Sequence, residues 1–375
     1  MGVRPPLQGP APLEVAGGEV TVFEAGAPAA PRPLAVLPPI RHVFVIVLEN
    51  ATYAATFGPG SAAPYLAGTL AGEGALLTRY YATGHNSLPN YVALISGLAP
   101  ARRTRADCPR YDEFVQTGTA PDGQPEGDGC IYPASVPTLA NQLEARHLTW
   151  KGYMEDMGND TAREAGRCAH PAIGARDPTQ VVEVGDQYAA RHDPFVYFHA
   201  LLDSGSCTAH VAPLTELTAD LAAVGSTPNF AFIVPSLCHD GHDQPCVDGE
   251  SGGLASADRF LAQWVPAIMR APAFEDGLLI VTTDEADGDG DACCAERSGP
   301  NVRHAGVSGP GGGRVGAVLL SPSIAPGTVS DVPYNHYALL ESVEDLFGLP
   351  HLGYAGQAGL AAFGADVYTK EPGAR

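Results

Sequence analysis

The run His85-Asn86-Ser87-Leu88-Pro89-Asn90-Tyr91-Val92-Ala93-Leu94-Ile95-Ser96-Gly97 joins a polar cluster to an apolar segment with helical spacing. Val92, Leu94 and Ile95 can face a core, and Pro89 falls near a first turn, where its missing N–H costs little. Ser87 then lies at or just before a helix N-terminus, whose unpaired N–H groups form an anion site. A hydroxyl held there is placed to act as a nucleophile on an anionic group. The plainer alternative makes Ser87 an N-cap and nothing more.

Three apolar runs elsewhere in the chain end in metal-binding or proton-carrying residues. His42 to Leu48 runs into Glu49-Asn50, Leu278 to Thr283 into Asp284-Glu285, and Asn229 to Val234 into a turn holding His239, Asp240, His242 and Asp243. In open α/β sheets ligands bind beyond the carboxyl ends of the strands, so this recurrence points to one site. Solvated acids at strand ends and a solvated polar loop are the plainer alternatives. Hard oxygen ligands (Glu49, Asn50, Asp284, Glu285) near a serine suggest a divalent cation that lowers the hydroxyl pKa and neutralises a phosphoryl oxygen. The histidines His85, His192, His239 and His242 can hold the other phosphate oxygens or protonate a leaving alkoxide.

The elements that must position these residues alternate between strands and helices, which predicts an α/β fold with a mainly parallel central sheet flanked by helices. Helices are expected over 64–72, 136–146, 214–224, 255–270 and 335–347, and strands over 75–81, 149–153, 316–321 and, as a short aromatic piece, within 191–198. A further short strand is expected at Val20 to Phe23. Residues 100–135 read as a long loop. Residues 1–39 form an irregular arm, 40–368 a single domain with disulfide-bearing loop insertions, and 369–375 a polar tail. No internal repeat is present.

Forty-two acids against 21 bases give a formal charge of −21. That opposes a nucleic-acid backbone as partner, and opposes binding to an anionic membrane by charge alone. No segment is long and apolar enough to span a bilayer. The eight cysteines are scattered among Gly/Pro-rich loops, which suggests disulfides and an oxidising compartment, secreted or periplasmic. Their connectivity stays open, and adjacent Cys293-Cys294 reads as two bridge ends more easily than as a metal clip. Residues 1–39 hold no apolar signal-peptide core, so a leader was removed or export takes another route.

The chain resembles the bacterial and fungal acid phosphatase and phospholipase C type phosphoesterases of the alkaline phosphatase superfamily, across roughly residues 40–368. The resemblance rests on Leu48-Glu49-Asn50 with Tyr53 and Phe57-Gly58, on His85 to Tyr91, on His192 to Phe198, on Cys238 to Asp243, on Thr283-Asp284-Glu285, and on Asn335-His336-Tyr337. It implies an alkaline-phosphatase-like core, a divalent metal ion (Ca, Mg, Mn or Zn) held by Glu49, Asn50, Asp284 and Glu285, and Ser87 as the phosphorylated nucleophile. It also implies histidines around the phosphate. The Ser87-Leu88-Pro89-Asn90 motif is similar to that of nucleotide pyrophosphatases, which implies that the Asn90 amide holds a phosphoryl oxygen. Sulfatases of the superfamily require Arg where this chain has Tyr91.

Ala286 stands where phospholipase C members have His, which favours phosphate monoesters as substrates. A phosphodiesterase or phospholipase C acting on a phospholipid head group is the rival enzyme. From another class, an inactive secreted protein could bind Ca²⁺ through Asp284 to Asp291. Those acids imitate the start of an EF-hand, but Ala292 replaces its glycine and Ser298 its closing Glu. His336 is open to either a packing or a functional role.

Overall fold

The computed structural model describes residues 37–306 and 309–370. Its main sheet contains β1 (His42–Leu48), β2 (Ala75–Leu77), β3 (Trp150–Met154), β4 (Val211–Pro213), β5 (Phe230–Val234), β6 (Gly277–Thr283), β7 (Ala317–Leu320) and β8 (Thr328–Ser330). Their spatial order is β8-β2-β7-β6-β1-β5-β3-β4. All neighbouring strands are parallel except β7, which runs antiparallel to both β6 and β2. The expected α/β architecture is therefore present. The short strand expected at Val20 to Phe23 lies outside the described residues.

Strand β1 is buried at every position, as a continuous apolar run demands when both sheet faces are covered. Val43, Val45 and Val47 face one core, and Phe44, Ile46 and Leu48 face the other. On the first face lie α1 (Ser87–Ser96), α2 (Leu139–Ala145) and, after a further helix on the opposite face, α4; that opposite helix is α3 (Gly253–Arg270), and α4 is His336–Phe347. Helix α3 contributes Phe260, Leu261, Val265 and Ile268 to the second core. Its Asp258 also reaches across to accept the Tyr65 and Leu66 N–H groups at 3.1 and 2.9 Å, capping the π-helical turn Tyr65–Leu70.

Several expectations need correction. Pro137 keeps Val136 out of a helix, so α2 starts only at Leu139, after a capping box between Thr138 and Asn141. Residues 191–198 form no strand. Asp193 accepts the Phe195 N–H at 3.2 Å, and with Pro194 it folds this segment into two 3₁₀ turns, Ala190–His192 and Pro194–Tyr197. The stretch 75–81 divides at Thr78, since Tyr80–Tyr81 leaves the main sheet to pair with Tyr334–Asn335. The helix expected over 214–224 shrinks to a 3₁₀ turn and Leu217–Asp220. The long loop after residue 100 carries a hairpin, Val115–Thr119 with Pro125–Asp128.

All eight cysteines are paired: Cys108–Cys130, Cys168–Cys207, Cys238–Cys246 and Cys293–Cys294. The adjacent pair is thus closed on itself instead of supplying two bridge ends. Among the described residues no helix is long and apolar enough to cross a membrane.

Helix α1 ends at Gly97, in the left-handed region at φ 66°. A side chain there would meet the Leu352 carbonyl at 2.2 Å, so both the backbone angle and the close approach call for glycine.

Helix α4 buries Glu344 completely, with Oε1 accepting the Leu352 N–H at 2.9 Å and Oε2 unpartnered. Burial pushes this carboxyl up to about 9 from 4.5. The folded protein keeps a proton that the unfolded chain releases, so this contribution to stability is complete below 4.5 and is lost as pH rises towards 9. We expect Glu344→Gln to melt with the parent at about pH 5 and about 2–4 °C higher at pH 8. Scanning calorimetry at both pH values tests this, and a pH-independent difference would contradict it.

Candidate active site

Register brings the acids together. Leu48 of β1 aligns with Thr283 of β6, so the residues that follow, Glu49 and Asp284, leave the sheet side by side. The Asp284 N–H donates to the Leu48 carbonyl at 2.9 Å, and the Glu49 N–H to the Asp240 carbonyl at 2.9 Å. Asp240 arrives from the loop beyond β5, the other neighbour of β1. Three carboxylates from three adjacent strand ends therefore meet in the interior, and none is more than 1% exposed.

Glu49 is the hub. Its Oε2 accepts from Ser87 Oγ at 3.0 Å and its Oε1 from Tyr91 Oη at 2.9 Å. His192 lies between two of the acids, with Nε2 3.2 Å from Glu49 Oε1 and Nδ1 3.2 Å from Asp240 Oδ2. Tyr91 stacks on the His192 ring at 5.1 Å between centroids. The close contacts of His192 are misaligned for hydrogen bonding: its Nε2 and Asp240 Oδ2, together with Asp284 Oδ2, are buried without a hydrogen-bond partner. Buried polar atoms of this kind are satisfied by a bound water or ion.

Burial, reinforced by the other acids, raises the pKa of Glu49 and of Asp284 well above the carboxylate range, and burial raises that of Asp240 likewise. Burial first, and the neighbouring Arg191 charge second, lower that of His192 well below the imidazole range. A neutral imidazole offers a lone pair to a cation. Carboxylates so crowded ionise together only when positive charge joins them. The unpartnered atoms and the donor set of carboxylate oxygens and imidazole nitrogen fit a divalent cation.

Above this floor opens a cleft of about 730 Å³, lined among others by Asn50, His85, Ser87, Asp107, His242 and Glu285. Ser87 is the first residue of α1; the N-cap is Asn86, at φ 66° and without a side-chain cap. Asp107 supplies the missing cap from another loop, its Oδ1 accepting the Leu88 N–H at 2.9 Å. Burial pushes the Asp107 carboxyl up to about 6. His85 Nδ1 pairs with Glu285 Oε2, and Nε2 contacts the Asp289 carbonyl at 2.8 Å. Both partners accept, so both ring nitrogens donate and the ring carries a positive charge. Accordingly the hydrogen bond to Glu285 raises the His85 pKa.

Not every expected residue faces the cleft. The Asn90 amide is fully buried: its Oδ1 accepts from Thr83 N and Gly84 N at 3.1 and 2.8 Å, and Nδ2 donates to the Gly84 and Asn86 carbonyls at 2.9 and 3.0 Å. It clamps the loop that carries His85 and has no group left for a phosphoryl oxygen. His239 turns away to Glu155 at 3.0 Å and does not line the cleft. Glu285 is engaged with His85 and with the Asn86 N–H, the latter at 3.0 Å. Asn50 reaches the site, and its own N–H donates to Asp284 Oδ1 at 3.2 Å. His336 is packed inside, its Nε2 donating to the Asp284 carbonyl at 2.7 Å and its Nδ1 accepting from Tyr80 Oη at 2.9 Å. Burial pushes its pKa down to about 4.

Sequence reasoning missed Asp240, Tyr91, Arg191 and Asp107 as site residues. Asp240 stood in a turn already singled out for its density of His and Asp, and Arg191 stood beside His192. Nothing in the local pattern distinguished Asp107.

Residues 60–350 match the profile of the Phosphoesterase family. The phosphatidylinositol-3-phosphatase of Mycobacterium tuberculosis is 27% identical over 322 residues, 86% of this chain and 82% of that protein. The phosphate-repressible acid phosphatase of Penicillium chrysogenum is 28% identical over 284 residues, which cover 76% of this chain and 54% of that protein. An Aspergillus fumigatus acid phosphatase is 26% identical, with 84% and 56% covered. The chain thus spans little more than half the length of these fungal relatives. A solved structure from Vibrio parahaemolyticus, a protein in the alkaline phosphatase superfamily, is similar with a TM-score of 0.47 at 15% identity, covering 88% of this chain and 72% of that one. The matched span takes in Ser87, Asp240 and Asp284 and most of the sheet, and the chain belongs to the Phosphoesterase family.

Proposed function

We propose that this protein hydrolyses phosphate monoesters at a metal-dependent site, with Ser87 as the nucleophile that carries the phosphoryl group. One observation carries the reading: the Ser87 hydroxyl, at the head of α1, donates to Glu49 in a buried cluster of three carboxylates, where Asp240 Oδ2 and Asp284 Oδ2 lack partners. The relatives named acid phosphatase and phosphatidylinositol-3-phosphatase favour a monoester, as does Ala286. Eight paired cysteines suit a secreted or periplasmic protein.

Glu49, Asp240 and Asp284 would hold the cation, with His192 beside them; Asn50 and Glu285 stand next to this set. A divalent cation there supplies Lewis-acid polarisation and makes the serine hydroxyl easier to ionise. The rest falls to the chain itself. Because Ser87 Oγ donates its proton to Glu49, its lone pairs are free to face the cleft. As the Oγ–P bond forms, the Ser87 proton passes to Glu49 and the bond from phosphorus to the ester oxygen breaks, the departing alkoxide taking a proton from cleft water. A second water then cleaves the phosphoserine, releasing inorganic phosphate and restoring the hydroxyl. The His85 imidazolium balances phosphate charge from the cleft wall without giving up its own hydrogen bonds. Tyr91 and His336 hold Glu49 and Asp284 in place.

Three outcomes test the proposal. Ser87→Ala should fold normally yet lower p-nitrophenyl phosphate hydrolysis by about a thousandfold or more. Mass spectrometry should find no trapped phosphoserine in it, and activity within tenfold of the parent (about 1.4 kcal/mol or less) would remove Ser87 from the role.

Asp240→Asn and Asp284→Asn should each reduce bound divalent metal and turnover together, with partial recovery at high metal concentration. Full metal and full rate in either variant would take that residue out of the ligand set.

The third concerns pH. Glu285 raises the His85 pKa, so the imidazolium persists above the ordinary histidine value, and kcat/KM for a monoester should fall as pH rises through it. Metal loss on carboxylate protonation sets the opposite limb, giving a bell with an optimum on the acidic side of neutral. His85→Gln should flatten the alkaline limb. An optimum near pH 9 or above, about two units past the usual histidine range, would exclude this role for His85.

A further inference from the structure

The cleft above Ser87 has no apolar wall. Among the described residues, those that line it are acids, side-chain amides, glycines, two histidines and the serine itself. No aliphatic side chain, no Phe, Tyr or Trp, and no Lys or Arg is among them. Pockets that take apolar ligands are lined mainly by hydrophobic and aromatic side chains. Here an aryl or acyl group would meet only charge and hydrogen-bonding groups and would gain little from burial. The alcohol half of the ester must therefore be hydrophilic.

The charge of the wall is also unbalanced. Glu285 pairs with the His85 imidazolium. Asp289 spends its carboxylate on the Asp291 and Arg314 N–H groups, at 2.9 and 3.1 Å. Asp107 turns one oxygen to the Leu88 N–H. Asp287 is left over: it is exposed, and among the described residues its carboxylate has neither an ion pair nor a hydrogen bond. His85 cannot answer it, because both ring nitrogens are engaged elsewhere. The Asp287 charge nevertheless reaches the reacting region, where it helps to keep the His85 imidazole protonated. Asn50 and Gln244 bring amides to the same wall, each able to accept a further hydrogen bond. A phosphate dianion alone is repelled by such a wall. A positive group on the same substrate turns the wall into a partner.

We propose that this protein prefers small phosphate monoesters whose alcohol carries a primary ammonium group, with Asp287 receiving the ammonium while Ser87 takes the phosphoryl group. This rests on the phosphomonoesterase reading and names the substrate class for the same site. The C–N bond is untouched; the products are the amino alcohol and inorganic phosphate. A primary ammonium offers its N–H donors to carboxylate and amide oxygens. A quaternary ammonium is recognised by an aromatic cage, which this cleft lacks.

The test measures kcat/KM for 2-aminoethyl phosphate, its neutral isostere 2-hydroxyethyl phosphate, and phosphocholine, in the parent and in Asp287→Asn, at low and high salt. The parent should favour the aminoethyl ester over the hydroxyethyl ester by about fivefold or more, and the ratio should shrink as salt screens the wall. Asp287→Asn should slow the aminoethyl ester by roughly two- to fivefold and speed the hydroxyethyl ester, because one repelling charge is gone. Equal slowing of both esters would mean damage to the site and overturns the proposal. So does a parent without ammonium preference, or a preference that high salt leaves intact, since that would reflect the acidity of the leaving alcohol. Phosphocholine turned over as well as 2-aminoethyl phosphate overturns the hydrogen-bonded primary ammonium. If Asp287→Asn does not fold, the salt dependence of the parent's ratio decides. A parent that hydrolyses none of these esters, nor p-nitrophenyl phosphate, removes the functional reading itself. Turnover of p-nitrophenyl and 2-hydroxyethyl phosphates with no gain for the ammonium ester removes this inference alone.

Discussion

The mutual repulsion of Glu49, Asp240 and Asp284 governs this structure. Each is delivered by a central strand or the loop that follows it, and sheet register leaves none of them free to move away. Burial removes the water that would otherwise screen them. A fold that only maximised stability would place apolar side chains there, since buried ionic clusters seldom add to stability. Such local conflicts between sequence and stability collect at functional sites.

The surroundings are arranged to keep those carboxylates in place, and most of the nearby polar residues serve this end. Tyr91 holds one oxygen of Glu49 from the second turn of the helix whose first residue is Ser87, so nucleophile and hub are fixed by one rigid element. Asn90, on the same helix, spends its amide on the loop that presents His85. His336 secures the Asp284 backbone from the start of α4, and Asp107 caps α1 from a disulfide-anchored loop. Each is a support of the kind that holds a reactive constellation to sub-ångström tolerance. That explains why Asn90 fits a phosphate-binding motif yet has no free hydrogen-bonding capacity. Its contribution to the site is made through the backbone it clamps.

The sequence made legible what depends on local pattern. Apolar runs ending in acids located β1, β5 and β6 and their shared edge, because burial on both faces writes a continuous hydrophobic string. The Ser87 helix was legible for the same reason. Asp193 and Pro194 broke the expected strand at 191–198 through a side-chain hydrogen bond that periodicity does not encode. The choice of Asp240 over His239 as the inward residue depends on how one turn folds back on Glu49. Strand register decides that, not composition. The adjacent Cys293 and Cys294 illustrate the same limit, since their pairing depends on where six other cysteines, distant in sequence, come together.

Charge makes the site's selectivity intelligible. The protein carries a formal −21, and Asp107, Glu285, Asp287 and Asp289 all line the cleft. Long-range steering therefore works against a phosphate dianion, the reverse of the focusing that speeds many enzymes. On the proposed reading, affinity has to come from short-range groups that act once the anion has displaced water: a cation among the carboxylates and the His85 imidazolium. Screening confines the opposing field to about 8 Å at physiological ionic strength, so the penalty is paid at the rim and not at the floor. Mild acidity relieves it further, because Asp107 loses its charge near pH 6 while His85 keeps its own. For the proposed reaction, the cleft wall therefore acts in the same direction as the reacting groups, towards an acidic working range. On the proposed reading, the wall also disfavours extended polyanions, whose every phosphate would meet the same repulsion.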